Sequence, residues 1–351
     1  MEKEDSFSRL STSIACMRFP LILSIILYHA YIAVPILGHK LYYQIIYPFG
    51  LWIGETGVPA YFFISGMFVF YSKKPYLQKM KSRIKTLAIP YIIWNSIMLA
   101  AFIIAFFLGY NHIINNVKEI ADYRFLDYIR AFWDCGDWNG GMGKPVYPPM
   151  WFLRNLMILC ILSPLIKLII EKTSILLPLI VSIIWINTPN MGLTYESISS
   201  FCLGAFFPIC RINLIDIYNK YSTLMISLFI LLGIVDIITH TLFSLPINLQ
   251  IHRLSIFMNI LMLPAIGSFL VNKRLEMKSL SKMSFFIYCI HLPIVIVFRK
   301  PASWHPELSN ETHILLYFIS SIVIITICIL FYHITKRIMP LFMRLATGNR
   351  D

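Results

Sequence analysis

The sequence predicts an all-α, polytopic transmembrane helical bundle of about ten spans, because of its composition and the form of its apolar segments. Hydrophobic residues occupy 58% of the 351 positions and charged residues 13%, whereas a typical soluble domain is about 25% charged. Many apolar runs approach the roughly 20 residues that a helix needs to cross a hydrocarbon core. The runs are continuous and lack the alternation of membrane β-strands, so helices are the spanning structure that satisfies the backbone in lipid.

Ten segments are expected to cross the membrane, near residues 14–37, 51–72, 86–109, 149–170, 174–187, 194–210, 222–244, 251–271, 284–300 and 312–334. Lys and Arg are dense in residues 73–85, in residues 272–283 and in the tail from residue 335, which fall on one side of such a bundle. By the positive-inside rule, both termini are predicted to be cytoplasmic. Arg299 and Lys300 depart from this pattern at the ninth span.

The chain is predicted to form a single integral-membrane domain over residues 1–351, with its cytoplasmic tail at 335–351. It is expected to be a multi-pass protein of the inner or plasma membrane, with the lipid bilayer as a partner. The outer loop at about 110–148 is predicted to be either an interfacial helix that caps a cavity or a plain connector. The net charge of +13 does not indicate a nucleic-acid partner, because the basic residues flank apolar spans. The seven cysteines have no metal-ligand spacing, so no metal site is predicted.

Arg18 and His29 are two ionisable residues within the first apolar segment. Eleven residues at about 100° each come to about 20° past three turns, so both side chains lie on one helix face, roughly 16 Å apart along the axis. Ionisable groups within spans usually face the bundle interior and serve a site. Near neutral pH, His29 is well suited to take a proton from an attacking hydroxyl. The alternatives are a structural histidine and an interfacial arginine.

Two further stretches carry polar residues near the second and third spans. In "GETGVPAYFFISGMFVF" the pair Ser65-Gly66 interrupts an aromatic run, and glycine in a span permits a close helix approach. The basic run "KMKSRIKTLAIPYIIW" contains Lys81, Arg83 and Lys85 and leads directly into the third span. Such a run either attracts anionic lipid or holds the phosphates of a soluble acyl donor.

Two later stretches place ionisable or hydroxyl groups inside apolar helices. Arg154 lies one turn within "PPMWFLRNLMILCILSP". In "SFFIYCIHLPIV", Tyr288 and His291 are three residues apart and therefore neighbours on one helix face. A tyrosine at this position is also compatible with an aromatic belt, whereas a histidine within a span is harder to explain by packing alone.

Taken in order, these five stretches resemble the acyltransferase type 3 family of integral membrane proteins, whose members include O-acetyltransferases of bacterial surface polysaccharides such as enterobacterial common antigen. Arg18 and His29 match its signature of a basic residue, ten intervening positions and a histidine. Its aromatic-aromatic-x-x-Ser-Gly pattern corresponds to "YFFISG", with Tyr61 where phenylalanine is usual. Its Arg-x-x-Arg pattern is half met, because Arg83 is followed by Thr86, which leaves Lys81 and Lys85 as substitutes.

The resemblance implies a membrane-bound O-acyltransferase that moves an acyl group, most often acetyl, from cytoplasmic acyl-CoA to a hydroxyl of a glycan or lipid-linked sugar. It implies that His29 is the catalytic base and that Arg18 helps to hold the donor or organise the site. Donor binding would fall to Arg83 with Lys81 or Lys85. The further site-lining residues would be Tyr61, Ser65, Arg154, Tyr288 and His291. Acetyl-CoA would be a substrate rather than a permanently bound cofactor, and other polysaccharide-synthesis proteins would be further partners.

Two other functions are compatible with the same residues. In a transporter or flippase of glycan or lipid intermediates, the buried polar side chains would line a permeation path, although the sequence has no evident pair of inverted repeats. In a structural subunit of a polysaccharide-synthesis complex, catalysis would be degenerate. The Arg18 and His29 pair argues against this second alternative, while Thr86 keeps it open.

Overall fold

The computed structural model describes residues 2–30, 42–110, 120–135, 143–188, 194–242, 245–273, 277–303 and 308–350, and every regular element in these ranges is helical. The predicted all-α class is therefore confirmed. The helices are α1 (Glu2–Ala30), α2 (Tyr47–Glu55), α3 (Gly57–Tyr71), α4 (Tyr76–Arg83), α5 (Ile89–Phe107), α6 (Phe125–Arg130), α7 (Trp151–Ile161), α8 (Ser163–Thr173), α9 (Leu176–Asn187), α10 (Tyr195–Ile209), α11 (Leu214–Leu242), α12 (Leu245–Asn272), α13 (Lys278–Ser303), α14 (Asn310–Ile338) and α15 (Pro340–Thr347).

Fewer helices than the expected ten are long and apolar enough to cross a membrane. Within the described ranges there are seven, or eight if α7 and α8 count as one span bent by 64°. Pro164, near the start of α8, has no N–H to donate to the preceding turn, so α7 ends and the chain changes direction there. α9 and α10 are helical as expected, but at 12 and 15 residues they are shorter than a spanning helix. The cytoplasmic location of the termini remains a prediction.

The segment expected to be a cytoplasmic tail is part of the folded bundle. After α14 ends at Ile338, α15 turns back and buries Met343 and Ala346. The indole Nε1 of Trp94, in α5, donates a hydrogen bond to the Ala346 carbonyl at 3.0 Å. The chain from residue 340 to residue 350 is thereby held against the start of the third predicted span.

α3 and α10 cross at two glycines. A Cβ atom at Gly66 would lie 2.2 Å from the Phe201 carbonyl oxygen, and one at Gly204 would lie 2.0 Å from the Phe63 carbonyl oxygen. Because real Cβ contacts are never this short, only glycine allows the two backbones to approach so closely. The close helix approach predicted from the Ser65-Gly66 pair is confirmed, and it fixes α3 with Ser65 beside the cavity described below.

The predicted outer loop is partly helical, and its location outside the membrane stays a prediction. Its described parts contain the six-residue α6, on which Phe125, Leu126 and Ile129 are exposed, as suits a helix at a membrane interface. The loop is anchored by Ile120 and Val146, which pack in one apolar cluster with residues of α5. Residues 111–119 and 136–142 lie outside the described part of the chain.

Candidate active site

One cavity, of about 270 Å³, lies where the middle of α1 meets α3, α7 and the first turns of α13. Four cationic side chains line it: Arg18, Arg83, Lys282 and Arg350. Among its lining residues, all of which the structure describes, none is Asp or Glu. We call this the basic cavity. Three of these cations, Arg83, Lys282 and Arg350, come from basic segments that the positive-inside rule predicts to be cytoplasmic, while Arg18 comes from α1.

The three arginines reach the basic cavity from three different parts of the chain. Arg18 lies in the middle of α1, Arg83 is the last residue of α4, and Arg350 follows α15. In the part of the chain that the structure describes, none of the three forms a salt bridge with a carboxylate. Grouping like charges without a counter-ion is unfavourable. The cavity is therefore electrostatically suited to an anionic ligand.

Four aromatic side chains that line the basic cavity, Tyr61, Phe152, Phe285 and Tyr288, form what we call the aromatic wall, and they join three of the motif stretches. Tyr61 and Phe152 have ring centroids 6.1 Å apart, Phe152 and Tyr288 are 6.0 Å apart, and Tyr288 and Phe285 are 5.9 Å apart. The Tyr61 hydroxyl donates a hydrogen bond to the Arg18 carbonyl oxygen at 2.6 Å, which a phenylalanine could not do. Tyr288 donates through its hydroxyl to the carbonyl oxygen of Pro149.

Arg18 lines the basic cavity, whereas His29 is not among its lining residues. The spacing of eleven residues places both side chains on one face of α1. His29 instead lies beside the buried His291, with their ring centroids 5.4 Å apart. His291 is in turn 6.1 Å from Tyr288, which lines the cavity. His291 thus connects His29 to Tyr288 of the aromatic wall.

Hydrogen bonding fixes the tautomer of His291. Its Nδ1 atom is 2.7 Å from the Tyr288 carbonyl oxygen, and because a carbonyl can only accept, Nδ1 must carry the proton. The Nε2 atom is buried and has no hydrogen-bond partner among the described residues. A neutral His291 therefore holds an unused proton acceptor next to His29.

Three other predicted site residues lie away from the basic cavity. Lys81 and Lys85 are exposed, because each is two residues from Arg83 and so about 200° around the helix from it. Arg154 is buried and does not line the cavity. It donates from Nη1 to the Trp133 carbonyl at 2.5 Å and from Nε to the Asn155 side-chain oxygen at 3.2 Å. Its contacts hold the outer loop against α7.

The family described as an acyltransferase domain matches residues 11–333. The chain belongs to the acyltransferase type 3 family. The acyltransferase is similar to the succinoglycan biosynthesis protein ExoH of Rhizobium meliloti (strain 1021), with 24% identity over 325 residues that cover 86% of this chain and 82% of the relative. No solved structure matches the chain. This chain is a multi-pass membrane enzyme that transfers acyl groups other than aminoacyl groups.

The acyltransferase has a second cluster of ionisable side chains, formed by Glu55, Asp236 and His252, which we call the acid–histidine network. His252 Nδ1 is 2.7 Å from Asp236 Oδ2, and its Nε2 is 3.1 Å from Glu55 Oε2. Asp236 and His252 are buried, while Glu55 is half-buried. With a carboxylate at each ring nitrogen, an imidazolium satisfies both acids.

Two of the cations in the basic cavity belong to none of the five motif stretches. Arg350 is 264 residues from its hydrogen-bond partner Thr86, so only the fold brings them together. Lys282 belongs to a basic run that topology alone explains. The sequence does offer a signal for the acid–histidine network, since Asp236 and His252 lie within apolar helices. Intramembrane ionisable residues are a recognisable signal for a polar cluster.

Proposed function

We propose that this acyltransferase moves an acetyl group from cytoplasmic acetyl-CoA to a hydroxyl of a cell-surface polysaccharide or of its lipid-linked precursor, in the inner or plasma membrane. The observation that carries the proposal is the basic cavity, with four cations and no carboxylate among its lining residues. The relative named for succinoglycan biosynthesis supports a glycan acceptor.

The donor would bind at the basic cavity. Guanidinium groups form charge-assisted, often bidentate hydrogen bonds with phosphate oxygens, so Arg18 and Arg83 would hold the phosphates of the acyl-CoA. The aromatic wall supplies an apolar surface for the rest of the donor, and Tyr288 lies both on the cavity and next to His291. The thioester would therefore approach the two histidines alongside Tyr288, and the acceptor would reach them from the opposite end of the bundle.

His29 would act as the general base. It takes the proton of the acceptor hydroxyl while that oxygen attacks the thioester carbonyl, and the C–S bond then breaks. The departing thiolate of coenzyme A receives the proton from the His29 imidazolium, which returns the enzyme to its starting state. Ser65, which lines the basic cavity, would donate a hydrogen bond to the oxyanion that develops on the carbonyl.

The proposal is tested with H29A in membrane vesicles that contain labelled acetyl-CoA and the polysaccharide acceptor. Removal of a general base lowers the rate by about 10²- to 10⁴-fold, so label transfer should fall by that factor. His333 is exposed on α14 and lies outside the cavity, so H333A is the matched control and should retain full activity. Full label transfer by H29A at normal protein levels would show that His29 is not the base.

The same vesicles test the transport alternative. Acceptor that crosses the membrane without becoming labelled would support a flippase and contradict the transferase mechanism. Label on the acceptor that depends on acetyl-CoA supports the proposal. Replacement of acetyl-CoA by other acyl-CoA donors in parallel reactions determines the acyl group.

A further inference from the structure

Arg350 reaches the basic cavity from the segment after α15. Its Nη2 atom donates a hydrogen bond to the Thr86 carbonyl oxygen at 2.8 Å. Its Cζ atom lies 4.0 Å from the ring centroid of Phe285, which belongs to the aromatic wall. The guanidinium is thus held between the start of the third predicted span and α13, at the place where Thr86 interrupts the basic run.

A tight turn fixes the position of Arg350. Gly348 has a φ of +65°, and a Cβ atom there would lie 2.7 Å from the Thr86 Cα atom, so both the backbone conformation and the space require glycine. The turn is closed by a backbone hydrogen bond from Asn349 to the Arg344 carbonyl at 2.9 Å. Because α15 is itself tied to Trp94, the whole segment directs Arg350 inward.

The guanidinium has unused capacity to bind an anion. Arginine has five N–H donors in a planar fork, and Arg350 makes one hydrogen bond and no salt bridge within the described residues. Burial lowers the pKa of Arg350 to about 10, and the positive charges of Arg83 and Arg18 also lower it. The group is therefore a cation at neutral pH, close to two others and without an acid to neutralise it.

We propose that Arg350 binds the phosphates of the acyl donor, so that α15 and the turn after it complete a three-arginine site for an organic polyphosphate. The site rests on the proposed function for the identity of its ligand, coenzyme A. In this arrangement Arg350 provides the cation that Lys81 and Lys85 cannot provide, because they point away from the cavity. The alternative is that Arg350 only anchors the turn through Thr86.

Binding of coenzyme A to the purified full-length chain in nanodiscs, measured by calorimetry, separates these roles. Loss of a hydrogen bond between charged groups corresponds to about a tenfold or greater loss of affinity, and we expect that loss for R350A and R350Q. A shallower dependence of log Kd on log salt concentration should accompany it, because one cation fewer meets the ligand. R350K should bind with intermediate affinity. Arg337, exposed in the last turn of α14, gives the matched control R337A, which should bind as the wild type does.

Thermal unfolding and the binding of inorganic pyrophosphate distinguish donor binding by Arg350 from a purely structural role. If R350Q is as stable as the wild type and binds coenzyme A equally well, Arg350 does not contact the donor and the proposal is overturned. If R350Q loses stability but not affinity, Arg350 only anchors the turn, which also overturns it. If the wild type binds inorganic pyrophosphate but not coenzyme A, the proposed donor is wrong. In that case a weaker pyrophosphate affinity of R350Q still supports the site, and an unchanged affinity rejects it.

Discussion

The basic cavity and the acid–histidine network differ in how their charged side chains are compensated. In the network, His252 has a carboxylate oxygen at each ring nitrogen, at 2.7 Å from Asp236 and 3.1 Å from Glu55. In the cavity, the lining residues include four cations and no acid. Both clusters lie within the same helical bundle, so the contrast does not come from the fold class. It comes from whether the protein itself supplies the counter-charge.

The charges of the acid–histidine network stabilise the fold, whereas the charges of the basic cavity are available to bind an anion. A buried ion pair with its hydrogen bonds satisfied needs nothing further, and removal of one partner leaves an uncompensated charge. A cation cluster without a counter-ion gains from binding an anion and loses little when one cation is removed. Mutations in the network should therefore change stability first, and mutations in the cavity should change binding first.

The largest expected effect on stability is that of D236A. Removal of one partner of a buried ion pair costs about 3–5 kcal/mol, and Asp236 is buried next to His252. We expect D236A to lower the free energy of unfolding by that amount, measured as an earlier thermal transition in detergent. E55A should cost less, because the Glu55 side chain is 38% exposed.

The matched cavity variant is R18M, which removes a cation from the basic cavity. Because Arg18 has no salt bridge among the described residues, R18M should unfold at the same temperature as the wild type or slightly higher, while it loses acetyl transfer. The comparison between the two clusters fails if R18M is destabilised as strongly as D236A. It also fails if D236A keeps full stability and loses only activity.

The sequence is sufficient to predict the helical class and the location of most helices, because lipid allows few backbone structures. Every apolar segment expected to span contains a helix. The bend between α7 and α8 has a visible cause in Pro164, but its angle of 64° depends on packing with neighbouring helices. The return of α15 onto α5 depends on contacts such as that of Trp94 with Ala346, which no local pattern encodes.

The candidate site is predictable to a smaller extent. Arg18, Tyr61, Ser65, Arg83 and Tyr288 all line the basic cavity, as their motifs suggest. The lysines on either side of Arg83 do not, because the helix continues through that region and turns them outward. Arg350, which lines the cavity, comes from a remote segment, and its position depends on the turn at Gly348. Roles in catalysis remain predictions for all of these residues.

The next largest effect should come from G66A, at the crossing of α3 and α10. A methyl group there would meet the Phe201 carbonyl at 2.2 Å, so the helices must separate, and overpacking of this kind costs about 1–3 kcal/mol. The neighbouring S65A is the control, since Ser65 faces the cavity rather than the crossing. Thermal unfolding should separate the two variants. Equal stability of G66A and S65A would show that the crossing tolerates a side chain.

The smallest expected effect is that of Y61F, which tests how the aromatic wall supports the basic cavity. The variant loses the hydrogen bond from the Tyr61 hydroxyl to the Arg18 carbonyl, worth about 0.5–1.5 kcal/mol. The cost should be near the lower limit, because α1 is continuous at Arg18 and its carbonyl keeps its helical partner. Coenzyme A affinity should fall, but by less than in R350Q, since Arg18 keeps its charge and loses only a support for its backbone. A larger loss of affinity in Y61F than in R18M would mean that the hydroxyl itself contacts the donor.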